Sequence, residues 1–155
     1  MFKIENVTHE VAANFFKSDP KLAYLGCADD VLVELYHSNS YSPHELSTLK
    51  GIYYGDQLIM LFKYEPFSAV AYTCHFYLNS SLHGTGMFTE VVKKLKEWMH
   101  QEHPQVRKIL VMSPSSCTHV PAVVAKYGFV KEGHLTNAMI WRQQTVDLLI
   151  YSLEI

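Results

Sequence analysis

The stretch "FYLNSSLHGTGMFTEVVKKLKEWMH", residues 76–100, decides how the rest of the chain is read. An apolar run ends in a polar turn holding Gly84-Thr85-Gly86, and an amphipathic segment follows at once. Met87, Phe88, Val91, Val92, Leu95, Trp98 and Met99 recur at helical spacing, with Glu90, Lys93, Lys94, Lys96 and Glu97 on the wet side. Glycines that open a helix let backbone N–H groups approach a phosphate without a Cβ in the way, and the helix dipole favours the negative charge. A Walker loop is excluded because no Lys-Ser or Lys-Thr follows the glycines. A dinucleotide fingerprint lacks its third glycine, since Thr89 stands there, and the preceding strand follows other strands.

Outward from this turn the elements fall into order. "MFKIENV" reads as a first strand, and Thr8 caps a helix over "HEVAANFF" with Val11, Phe15 and Phe16 on one side. Asp19-Pro20 restarts the chain with Pro20 at a first helical position. Ser38 to Ser47 reads as a loop, and "YHSNSYSPHE" as a flexible lid. "KGIYYGDQLIMLFKYEP" gives two strands joined at Gly55-Asp56, and "SAVAYTCHFYL" a third, apolar on both faces and so central. Pro104 stops the long helix. "KILVM" is a buried strand, "THVPAVVAKYGF" a second helix capped by Gly128, and "FVKEG" and "TVDLLIYSLEI" close the chain as strands. Helices flanking a mixed sheet, not alternating strictly with strands, disfavour a doubly wound fold.

Composition bounds the function. With 155 residues, 48% hydrophobic and 18% charged, the chain is one globular domain and not a disordered one. A net charge of −2 argues against a nucleic-acid footprint. Cys27, Cys74 and Cys117 form no CxxC pair, which points to reduced thiols in a cytoplasm. No run approaches the ~20 apolar residues of a membrane span.

The window Ser81-Leu82-His83-Gly84-Thr85-Gly86 is similar to the [QR]xxGx[GA] signature of GNAT-type acyl-CoA N-acetyltransferases. The tail "KYGFVKEGHLTNAMIWRQQTVDLLIYSLEI" also resembles that family, especially its ribosomal-protein N-terminal acetyltransferase branch. The matching positions are Gly128, Phe129, Glu132, Gly133, Leu135, Ala138, Asp147, Tyr151, Ser152 and Leu153. The resemblance covers roughly residues 50 to 155. It implies an α/β (α+β) GNAT-like acyl-CoA N-acyltransferase fold in one domain over residues 1–155. Residues 1–50 would form the acceptor side and 51–155 the coenzyme-binding core.

In such folds the central sheet is splayed between the strand before the glycine turn and the next strand, with helices on both faces. The resemblance implies acetyl-CoA as co-substrate, its arm pairing with backbone near Phe76, Tyr77 and Leu78. The N–H groups of Leu82, His83, Gly84, Thr85, Gly86 and Met87 would hold the pyrophosphate.

Two signature positions differ. Ser81 stands where the family has a basic or amide residue, and Val124 where many members place a tyrosine that protonates the departing thiolate. Tyr127 lies three positions on, about 300° round a helix. Direct attack of an amine on the thioester needs a base, an oxyanion donor and an acid for sulfur. His75 is the base candidate, because neutral imidazole accepts a proton near pH 7. Ser116 and Tyr127 are the acid candidates. Cys117 with His119 lacks an orienting acid for nucleophilic catalysis. His100 and His103 read as helix-dipole partners, so no metal is expected.

The expected function is transfer of acetyl from acetyl-CoA to a primary amine, either a protein N-terminus or a small amine. The alternative is a catalytically degenerate GNAT-fold binding or assembly factor of the kind phages encode, working as a homodimer or with an assembly partner.

Overall fold

The structure is a computed structural model that describes residues 1–22 and 42–155. Its frame is a seven-stranded sheet built from β1 (Phe2–Asn6), β2 (Leu49–Tyr54), β3 (Gln57–Ser68), β4 (Ala71–Leu78), β5 (Lys108–Pro114), β6 (Val130–Trp141) and β7 (Gln144–Glu154). The spatial order is β1-β2-β3-β4-β5-β7-β6. Every neighbouring pair is antiparallel except β4–β5. Helices α1 (His9–Ser18), α2 (Pro43–Ser47), α3 (Met87–Glu102) and α4 (His119–Lys126) accompany the sheet, and a 3-10 turn spans Ser80–Leu82.

Alternation along the strands feeds two cores, one on each face of the sheet. On one face Ala12, Phe15 and Phe16 of α1 pack with Leu49, Leu61 and Tyr77. On the other, Val91, Leu95 and Met99 of α3 and Val120 and Val124 of α4 cover Met60, Phe62, Cys74 and Ile109. Phe62 and Tyr64 meet Trp98 edge-on at centroid distances of 5.6 and 5.3 Å, which seats the end of α3 on the sheet. The wet side of α3 pairs Glu90 with Lys93 and Glu97 with Lys94. The mixed sheet with helices on both faces is the architecture expected from the sequence.

Thr8 caps α1 as read, its hydroxyl accepting the Val11 N–H at 3.3 Å. The loop expected over Ser38 to Ser47 is corrected in its last part, where Pro43–Ser47 is helical. The cause is a capping box: Ser42 Oγ accepts the Glu45 N–H at 3.2 Å, and the Glu45 carboxylate accepts the Ser42 N–H at 2.6 Å. A turn begins at Asp19, where the Leu22 N–H reaches the Asp19 carbonyl at 3.0 Å. The helix expected from Pro20, beyond Leu22, and most of the lid over residues 36–45 lie outside the described residues.

β6 is far longer than "FVKEG" suggested. Its register with β7 shifts between Leu135 and Met139, so an irregularity splits its apolar pattern and hides the strand. Asp147 secures that irregularity by accepting the Asn137 N–H at 3.0 Å and meeting His134 Nε2 at 2.7 Å, and its carbonyl takes the Ser115 N–H at 2.8 Å. Glu132 accepts from Lys108 Nζ at 2.6 Å and from the Ser152 hydroxyl, tying β6 to β5 and β7. No helix among the described residues is long and apolar enough to cross a membrane.

Candidate active site

The parallel pair β4–β5 holds together for only three positions, Ala71↔Lys108, Tyr72↔Ile109 and Thr73↔Leu110. Beyond these, β4 stays registered with β3 as far as Leu78, while β5 stays registered with β7 as far as Pro114. Each strand follows its own antiparallel partner, and the two separate. This splay is the one the sequence resemblance implied.

The separation leaves β4 beyond Thr73 without a strand partner on its β5 side. The Asn79 N–H reaches the Ile59 carbonyl at 3.0 Å, so Asn79 belongs to a hydrogen-bonded pair with β3. Alternation then turns the peptide groups of Tyr77 and His75 toward β3, and those of Cys74, Phe76 and Leu78 toward the gap. Buried N–H and C=O groups require partners, and an edge of this kind can pair with a strand-like ligand. The peptide groups of Phe76 and Leu78 thus face the gap. Tyr77 is turned the other way, with its ring fully buried against Phe16 at 5.2 Å.

A cleft of about 270 Å³ opens from the gap between α3 and α4. Its inner wall is apolar and includes Met60, Phe76, Val111, Met112 and Phe129. Cys74 also lines it, but burial pushes this thiol well above its ordinary pKa and leaves it inert. The glycine turn forms the rim through Leu82, His83, Gly84 and Gly86. Gly84 and Gly86 have φ of +77° and +81°, a conformation that side chains resist, and a Cβ at either would meet open space. Gly86 is also the N-cap of α3, without a side-chain cap.

Only some of the N–H groups of this turn are open. The N–H groups of Leu82, His83 and Thr85 go to Asn79, Ser80 and Leu82 carbonyls at 2.9, 3.2 and 3.3 Å. The Met87 N–H goes to Thr85 Oγ1 at 3.4 Å. Those of Gly84, Gly86 and Phe88 have no acceptor among the described residues. Three open amides at the start of a 16-residue helix make a nest for an anion.

His75 lines the cleft opposite Lys63 of β3. Burial chiefly, and the Lys63 ammonium with it, hold the imidazole below its ordinary pKa against the opposing pull of Glu65. A neutral ring at pH 7 is the form able to take a proton. Tyr127 lines the cleft too, with its ring 4.8 Å from that of Phe88. It is the C-cap of α4, at φ −100° and ψ 13°. Ser116 is exposed and stands outside the lining. His119 lines the cleft from the first turn of α4, while Cys117 is buried in the core. His103 is engaged with the Tyr72 hydroxyl at 3.3 Å, and no group of three metal-ligating side chains occurs among the described residues.

Sequence reading missed Lys126, Val123 and His119 as cleft residues. The 119, 123, 126 spacing on one helix edge was a signal for them.

The fold defined by this splayed sheet and glycine rim is that of the GNAT acyl-CoA N-acyltransferases, and solved structures of that class match over nearly the whole chain. A ribosomal L7/L12 α-N-protein acetyltransferase in complex with coenzyme A matches at 14% identity and a TM-score of 0.77, covering 99% of this chain and 94% of that one. The microcin C7 self-immunity acetyltransferase in complex with acetyl-CoA and AMP matches at 15% identity and 0.76, covering 99% and 92%. A spermidine N-acetyltransferase from Vibrio cholerae matches at 13% identity and 0.70, covering 99% and 93%. No family model matches the sequence, and no curated protein does either.

Proposed function

We propose that this protein transfers an acetyl group from acetyl-CoA to a primary amine by direct attack of the amine on the thioester. The observation that carries this reading is the slot between β4 and β5, which runs from strand backbone with no partner strand to open amides at the head of α3. Coenzyme A has the matching shape, an extended arm with peptide-like amides ending in a pyrophosphate. Phe76 and Leu78 would pair with the arm, and Gly84, Gly86 and Phe88 would hold the phosphates. His75 is the base that takes the ammonium proton, and Tyr127 is the acid that returns a proton to sulfur. The acceptor is a peptide N-terminus or a small amine, in keeping with the ribosomal-protein and spermidine acetyltransferases that share the fold. The free, buried thiol of Cys74 supports a reducing cytoplasm as its place of action.

The test is a thermal shift with acetyl-CoA followed by an amine panel scored for thiol release. A rise in melting temperature with thiol release on at least one amine is the expected result, and no shift at millimolar acetyl-CoA overturns it.

A second reading has its own observation. Val124, in the position of the family tyrosine, is buried and offers no proton. A coenzyme-dependent shift with no thiol release on any amine would favour a binding or assembly factor that kept the pocket and lost the chemistry.

A further inference from the structure

The glycine rim carries no fixed positive charge. Ser81, where the family has its cation or amide, turns its hydroxyl to Asn79 Oδ1 at 2.7 Å and does not line the cleft. His83 donates or accepts locally, its Nε2 lying 3.2 Å from the Leu78 carbonyl. Three neutral amides alone would meet a doubly charged pyrophosphate, and charge-assisted contacts are the stronger kind.

The opposite wall supplies what the rim lacks. Lys126 is the one residue lining the cleft with a fixed charge, and no aspartate or glutamate lines it among the described residues. The nearest acid of the α3 first turn, Glu90, is already paired with Lys93 at 3.0 Å. Lys126 ends α4, beside Tyr127, whose ring meets Phe88 on the first turn of α3. That contact joins the end of α4 to the head of α3, and Lys126, Gly86 and Phe88 line the same cleft. Lys126 makes no ion pair with a described carboxylate; its Nζ lies 5.8 Å from the Tyr127 ring centroid.

We infer that Lys126, from α4, supplies the cation that the glycine turn has lost and pairs with a phosphate of the coenzyme across the cleft. This rests on the cleft being the coenzyme site.

The test measures coenzyme A binding by calorimetry for the wild type, Lys126→Gln and Lys126→Arg at low and high salt. Lys126 is exposed, so all three proteins are expected to melt alike. Lys126→Gln should bind about tenfold more weakly and lose most of the salt dependence, and Lys126→Arg should restore both. Wild-type binding with equal affinity and salt dependence in Lys126→Gln overturns this assignment and leaves the acetyl-transfer reading standing. Absence of coenzyme A binding by the wild type overturns both.

Discussion

The carboxylate of Asp19, at the end of α1, accepts the backbone N–H of Ser80 at 3.0 Å, sixty-one residues away in sequence. Although burial works the other way, hydrogen bonds from Ser80 and from the Lys21 N–H hold Asp19 below the usual carboxylate range. The contact fastens the entrance of the glycine turn to a helix on the opposite face of the sheet. It couples the two layers at the place where the anion nest begins.

Asp19→Ala should therefore weaken coenzyme A binding several-fold while costing only about 1 kcal/mol of stability. Calorimetry with a urea melt separates the two effects. A loss of stability with unchanged affinity would show that the rim is fixed without Asp19.

Gly86→Ala should act twice. A side chain at φ +81° costs on the order of 1–2 kcal/mol. The added methyl would also stand in the open space proposed for the phosphates, so the thermal shift with acetyl-CoA should vanish in a protein that still folds.

His75→Gln should lower kcat by roughly 10²–10⁴ with coenzyme affinity unchanged. The acid limb of the wild-type pH–rate profile should fall below about pH 6.5, because burial depresses the His75 pKa. Its disappearance in the variant identifies the base.

Tyr127→Phe should reduce kcat about a hundredfold with little change in KM, since the ring that packs on Phe88 is kept and only the proton is lost. Ser116→Ala, outside the cleft, should leave both constants alone. The reverse pattern would exchange their roles.

Stability should decline as pH falls below about 6.5. His75 and His103 both have folded-state values lowered, chiefly by burial. The unfolded chain then binds protons first on acidification, so the stability they contribute is complete above the unfolded value and lost beneath it. Urea midpoints at about pH 7.5 and 5.0 should differ, and less so in His103→Gln.

Much of this was legible in the residues. The apolar spacing of α3, the glycines ahead of it, Thr8 and the apolar run of β4 specify their elements locally, because caps, periods and positive φ are properties of short segments. The Ser42–Glu45 capping box was equally local and still overlooked inside a polar stretch. The break between Leu135 and Met139 concealed β6 because Asp147, on another strand, stabilises it.

The sequence alone determined that a central strand, a glycine turn and an amphipathic helix follow one another, and that the turn lacks a cation. Tertiary structure decided what that sequence of elements could hold. Divergence of β4 from β5 depends on pairing with β3 and β7, and neither strand encodes it. Only the folded chain selected Gly84, Gly86 and Phe88 as the open donors, turned Tyr77 away, and set Tyr127 and Lys126 on the facing wall. Local sequence fixes which conformations are allowed. Which groups are left without partners is a property of the whole sheet.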